Sequence, residues 1–155
     1  MSLLVGEMKV CKKFEWEMGH RLLNHPGKCS RPHGHSYSAE VVFLASTSEN
    51  GFAVELGAAT VKLAPIFEQL DHAFMVREDD ELFSYRQGKP ESRGILRVPF
   101  EPTTENLAKM LFFKITSLEL PVESVRVWET RKIWAEFTKS DSSFAEQRGE
   151  LATCL

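Results

Sequence analysis

Cysteine is scarce in this chain: Cys11, Cys29 and Cys154 are the only three in 155 residues. An odd count at wide, irregular spacing argues against a disulfide framework and for a reducing compartment. Basic excess is absent too. Lys and Arg number 19 against 22 Asp and Glu, for a net charge of −3. No Lys/Arg stripe recommends nucleic acid, and no acidic tail suggests a basic partner. The sequence has no apolar run of the length a membrane span needs and no signal-peptide pattern, so a cytoplasmic protein is expected. What is present is ordinary for a globular domain: 43% hydrophobic and 26% charged residues. The length suits one domain with a real core, expected over 1–155 with its core at about 8–140 and a loosely ordered tail over 141–155.

Hydrophobic periodicity places the elements. Val10, Phe14, Trp16 and Met18 share one parity, which predicts a strand over 9–18 despite the interruption at Lys12. His20 falls on the same parity just beyond it. A loop rich in turn formers follows, and Tyr37, Ala39, Val41, Phe43 and Ala45 predict a second strand over 33–45. Leu56, Ala59, Leu63, Phe67 and Leu70 recur at a helical period over 56–70, where Pro65 is expected to kink or divide the helix. Residues 76–101 are charged and turn-rich, and are read as a lid or an ordered excursion. Thr103 or Thr104 can cap a second helix carrying Leu107, Leu111, Ile115 and Leu118. Strands are expected at 123–130 and 134–139. The order ββααββ predicts an α+β domain.

His33-Gly34-His35 is the most informative tripeptide. Residues two apart on a strand point to one face, so both imidazoles can converge on one ion. His20, at matching parity on the neighbouring strand, can add a third nitrogen. Three histidines leave a fourth coordination place open, as catalytic zinc requires. Cys29 lies between Lys28 and Arg31, cationic neighbours of the kind that favour a thiolate. It reads equally as a reactive thiol, a fourth metal ligand or an inert loop residue. Cys11 alternates onto the face opposite Phe14 and Trp16 and is expected to pack; Cys154, in the tail, is assigned no role.

Asp71-His72 follows the first helix. The pair can relay protons, or His72 can simply sit at the negative helix pole. Glu129 shares the parity of Val125 and Val127. A core-facing carboxylate needs a partner, and a ligand with two adjacent N–H donors would supply one; alternatively the strand has ended and Glu129 is solvated. Glu105 reads as a first-turn acid of the second helix.

Taken together, the stretches Phe14 to Leu22 (FEWEMGHRL), Lys28 to Tyr37 (KCSRPHGHSY), Gly51 to Leu56 (GFAVEL), Leu70 to His72 (LDH), Pro102 to Ala108 (PTTENLA) and Val127 to Thr130 (VWET) resemble the 6-pyruvoyltetrahydropterin and 6-carboxytetrahydropterin synthase family. They occur in the family's order from residue 8 to about 138. The resemblance implies the tunnelling fold, a four-stranded antiparallel sheet with two helices on one face. Three subunits would join sheets into a barrel and two rings would stack as a homohexamer, with active sites between subunits. It implies zinc on His20, His33 and His35, Cys29 as the proton-abstracting thiol, Asp71 with His72 as the relay, and Glu129 as the anchor of the pterin's guanidine-like edge. Thr104 and Glu105 would border the pterin pocket.

The implied reaction is zinc-dependent conversion of 7,8-dihydroneopterin triphosphate to 6-carboxytetrahydropterin, for queuosine or related deazapurine synthesis. The three residues between Cys29 and His33 resemble that branch. The alternatives are triphosphate elimination to a 6-pyruvoyl product, a paralogue acting on a related dihydropterin, or a pterin- or metal-binding protein without turnover. Three departures bear on the pocket: Met18-Gly19 stands where the family commonly has Ala-Ala, Glu55-Leu56 where it has Asp-Phe, and residues 76–101 make a longer connection than in compact members.

Overall fold

The computed structural model describes residues 6–86, 88, 94–143 and 151–155. A long hairpin dominates it. Strands β1 (Glu7–His20) and β2 (His33–Ser46) pair antiparallel over their whole length, from Glu7 opposite Ser46 to His20 opposite His33. Alternation decides the faces: Trp16, Met18, Tyr37, Ala39, Val41 and Phe43 are buried on one side, while Lys13, Glu15 and Glu17 on the other parity are exposed.

Helix α1 (Leu56–Leu70) starts at Glu55, whose carboxylate accepts from the amides of Gly57 and Ala58. The Glu55 departure therefore keeps an N-cap acceptor. The helix is not divided at Pro65. The acceptor that loses its i+4 donor there is the Val61 carbonyl, and Val61 lies on the solvent side, 74% exposed. Helix α2 (Thr104–Thr116) is capped by Thr103, whose Oγ1 accepts from Asn106 N at 3.3 Å. Strands β5 (Val122–Thr130) and β6 (Ile133–Thr138) form the closing hairpin, with β5 antiparallel to β2. Buried residues of both helices and of one sheet face meet in a single apolar cluster, in which Phe67 stacks on Phe14 with ring centroids 4.0 Å apart.

The sheet corrects the expectation of four antiparallel strands. It has six, in the order β4-β3-β1-β2-β5-β6, and is mixed. Strands β3 (Ala73–Arg77) and β4 (Ile95–Val98) run parallel to β1 and to each other, so the element order is ββαββαββ. Six residues of the excursion read at 76–101, Val76–Arg77 and Ile95–Val98, are thus sheet, and 87 and 89–93 lie outside the described residues. The two strands are five and four residues long, and Met75 and Val76 are both fully buried. A strand covered on both faces shows no alternation, which hides it from a period-two reading.

One smaller expectation also changes. Cys11 does not pack but is exposed. In the tail, 144–150 fall outside the described residues, whereas Leu151, Ala152 and Leu155 pack against the core cluster. No helix among the described residues is long and apolar enough to cross a membrane.

Candidate metal and catalytic site

The hairpin register builds the centre of the site. Because His20 is the cross-strand partner of His33, and Met18 of His35, three imidazoles of one parity gather at the end of the β1–β2 pair. Their ligand atoms lie within 4.8 Å of one another, a set that could hold a metal ion. Cys29 and Glu129 are not part of that mutually close set.

Two backbone carbonyls orient the rings. His20 Nδ1 lies 2.8 Å from the Pro102 oxygen and His33 Nδ1 lies 2.7 Å from the Arg31 oxygen. A carbonyl can only accept, so both Nδ1 atoms carry the proton, and both Nε2 atoms present lone pairs when the rings are neutral. Those two Nε2 atoms are 3.1 Å apart. Facing lone pairs at that distance repel unless a cation lies between them. Nitrogens bound tetrahedrally to a small ion at ~2.0–2.1 Å sit about 3.4 Å apart, close to this spacing, so the three rings could hold a metal ion. Burial, foremost, holds the pKa of His20 below its ordinary value, and the neighbouring His33 adds to the effect against the opposing Pro102 carbonyl. His35 is lowered by burial as well. The neutral, ligating form is favoured at both.

Glu129 completes the wall of this cluster. Its side chain is 19% exposed, with Oε1 3.5 Å from His20 Nε2 and 3.7 Å from His35 Nε2. It is therefore core-facing rather than solvated. The register of β5 against β6 shifts between Trp128 and Thr130, so Glu129 sits in an irregularity, a device that re-aims a side chain at a site. Tyr37 was not anticipated here. Its hydroxyl contacts His20 at 3.3 Å, and burial, with Glu129 adding to it, raises its pKa. The signal was available, since Tyr37 continues the parity of His33 and His35.

Cys29 occupies a 3-10 turn (Lys28–Ser30) in the loop joining the two strands, half-buried. The amide of Leu22 donates to the Cys29 carbonyl at 2.8 Å, which closes that loop on itself. Asp71 and His72 lie at the end of α1. Asp71 Oδ1 accepts from Glu17 N at 2.9 Å, Asp71 Oδ2 lies 3.0 Å from His72 Nδ1, and His72 N donates to Glu17 O at 2.7 Å. The Glu17 amide first, and His72 second, hold the Asp71 carboxyl below its usual value.

His72 has φ of 59°, a left-handed conformation costly for a residue with a Cβ and common at functional sites. The pair faces outward, its imidazole 80% exposed. It sits beside Glu17, three residues before His20, and His72 shares an open cleft of about 360 Å³ with Gly19, Gly34, His35 and Ser36. Of the remaining expected residues, Thr104 is buried at the start of α2, two positions past the carbonyl that orients His20, and Glu105 is exposed.

Gly19 and Gly34 are cross-strand partners at this end of the hairpin. A Cβ on Gly19 would lie 2.4 Å from the Phe74 ring, and one on Gly34 would lie 3.1 Å from the Met18 carbonyl. The departure at Gly19 thus makes room for Phe74 from β3.

Comparison with known proteins agrees with this geometry. A family model described as 6-pyruvoyl tetrahydropterin synthase matches residues 9–140. A 6-carboxy-5,6,7,8-tetrahydropterin synthase of Haemophilus influenzae is 30% identical over 137 residues, covering 83% of this chain and 97% of that protein. A protein of the same name from Synechocystis is 30% identical over 129 residues, covering 78% and 85%. Among solved structures, an uncharacterized protein of Wolinella succinogenes superposes with a TM-score of 0.70 at 22% identity, covering 86% of this chain and 98% of the other. The 6-pyruvoyl tetrahydropterin synthase of Caenorhabditis elegans superposes at 0.62 and 17%, covering 89% and 98%; likenesses at such identities concern the fold. With the match running through the histidine hairpin, the Cys29 loop and β5, the chain belongs to the 6-pyruvoyl tetrahydropterin synthase family.

Proposed function

We propose that this protein is a zinc-dependent lyase that converts 7,8-dihydroneopterin triphosphate to 6-carboxy-5,6,7,8-tetrahydropterin, releasing acetaldehyde and triphosphate, as a cytoplasmic step towards queuosine or related deazapurines. The observation that carries the reading is the convergence of His20, His33 and His35, two of them with Nδ1 committed to backbone carbonyls and Nε2 turned to a common point. Relatives named for the 6-carboxy product, at 30% and 28% identity over 137 residues each, support that branch, as does the spacing from Cys29 to His33.

His20, His33 and His35 would hold the zinc, which when bound supplies Lewis acidity to the side-chain hydroxyls of the substrate. Cys29 takes a proton from the substrate side chain as base. His72, steadied by Asp71, returns or relays protons. Glu129, an acceptor-only carboxylate in a half-buried niche, receives the two adjacent N–H donors of the pterin's guanidine-like edge, and Thr104 and Glu105 border the ring. The outward-facing Asp71–His72 pair suits a homo-oligomer, two stacked trimeric rings, in which this pair serves the metal centre of a neighbouring copy.

Incubation of the zinc-loaded protein with 7,8-dihydroneopterin triphosphate, followed by mass analysis, tests the proposal. A carboxypterin with acetaldehyde is the expected result. A pyruvoyl product would move the protein to the triphosphate-eliminating branch, and no conversion at all would reduce it to a binding protein.

A further inference from the structure

The segment after His20 is gripped three times in succession by residues from the β3–β4 excursion and its exit. The Pro102 carbonyl takes His20 Nδ1 at 2.8 Å. Asp80, only 1% exposed, takes the Arg21 guanidinium through both oxygens, with Nε to Oδ2 at 2.6 Å. Glu101 then takes two consecutive backbone amides, Leu23 N on Oε2 at 2.8 Å and Asn24 N on Oε1 at 3.2 Å. Arg77 Nη1 neutralises the same carboxylate at 2.9 Å. Glu101 is itself fixed, its carbonyl accepting from Asn106 Nδ2 at 2.9 Å and from Thr103 N at 2.7 Å.

This arrangement bears on the thiol. Leu22, one residue before the first gripped amide, donates to the Cys29 carbonyl. Glu101 and Pro102 are adjacent, so one rigid dipeptide fixes a metal-site imidazole through its carbonyl and the turn backing the Cys29 loop through its carboxylate. A carboxylate accepting backbone amides forms charge-assisted bonds, roughly twice as strong as neutral ones. Such a clamp sets the distance between two reacting groups, and catalysis is sensitive to displacements of about 1 Å.

We propose that Glu101 is a positioning residue, a clamp at the exit of β4 that holds the Cys29 loop in register with the three-histidine centre. The catalytic consequence rests on the function proposed above; the structural consequence does not. Two readouts keep them separate. Hydrogen exchange on the zinc-loaded protein measures the clamp directly: Glu101→Gln should accelerate exchange at least tenfold at residues 22–24 and over the Cys29 turn, while β1 and β2 keep their protection. Kinetics with 7,8-dihydroneopterin triphosphate should show kcat reduced at least tenfold, KM changed less than threefold, and one zinc retained per chain. Glu101→Asp, which keeps the charge but withdraws it by one methylene, should fall between wild type and Glu101→Gln in both measurements.

Unchanged exchange in the loop would overturn the proposal. So would an acceleration spread through β1 and β2, a kcat within twofold of wild type, or a loss of activity tracking loss of zinc. If the wild-type protein fails to convert the substrate, the proposed reaction falls and the exchange data alone decide the role of Glu101.

Discussion

The carbonyl of Pro102 accepts the Nδ1 proton of His20 at 2.8 Å, a contact spanning 82 positions of sequence. It fixes which nitrogen of a buried imidazole is free, and so turns a core histidine into a candidate ligand. Such a partner is a backbone atom, which no side-chain motif encodes.

The metal centre should depend on His33 more than on any single outer contact. Loss of a hydrogen-bond partner behind a ligand typically costs 10–100-fold in metal affinity, so His33→Gln should lower zinc affinity by at least about 100-fold. Competition titration against a chromophoric chelator measures this. His33 is also less buried than His20, which makes the variant easier to fold.

Cys29→Ala should keep one zinc per chain and lose turnover by a factor of ~10²–10⁴, the range for removal of a positioned acid–base group. Metal analysis alongside a product assay separates this from the alternative: zinc lost together with activity would make Cys29 a structural ligand.

Glu129→Gln replaces an acceptor of two N–H groups by a side chain that must turn an NH2 group towards one of them. Hydrogen bonds to charged groups contribute ~1.5–3 kcal/mol, so kcat/KM should fall about 10- to 100-fold. Steady-state kinetics and pterin binding by fluorescence quenching check it. The loss should be larger than for Glu129→Asp, which keeps the charge.

The metal-free protein should lose stability on mild acidification. The folded-state pKa values of His20 and His35 lie below the ordinary value, which is about 6.5, so between the folded and unfolded values the unfolded chain binds more protons. Stability is complete above about pH 6.5, declines as pH falls below it, and levels off once the folded-state sites also protonate. Thermal melts of chelator-treated protein from pH 8 to 5 should show this fall, and excess zinc should raise Tm most above pH 6.5. A flat profile for the metal-free protein would contradict the assignment.

Gly19→Ala should destabilise this protein. The new methyl would stand 2.4 Å from the Phe74 ring, and Phe74 packs edge-on against Phe83. Overpacking of this kind costs ~1–3 kcal/mol, readable as a lower urea midpoint. Gly19→Ala combined with Phe74→Leu should recover part of the loss, because the two residues share one space.

The residue pattern alone carried the centre of the site. Alternation at Trp16, Met18 and His20, and at His33, His35 and Tyr37, fixes one face of a hairpin, because side chains two apart on a strand must point the same way. The helical period at 56–70 and the capping threonine before α2 were legible for the same kind of local reason. For Glu129 the pattern left open a core-facing or a solvated carboxylate, and gave no sign that it neighbours His20 and His35.

What the pattern could not give were relations between distant segments. Strands β3 and β4 are short and run parallel to β1, and β3 buries consecutive residues, so they lack both alternation and hairpin turns. The carbonyl of Pro102, the carboxylate of Glu101 and the carboxylate of Asp80 reach the His20 loop only because those strands place them there. Sequence by itself determined which imidazoles share a face, through the two-residue period of extended backbone. The tertiary structure decided which ring nitrogens are free, what faces them and what holds the Cys29 loop, because each of those depends on a contact that local periodicity does not constrain.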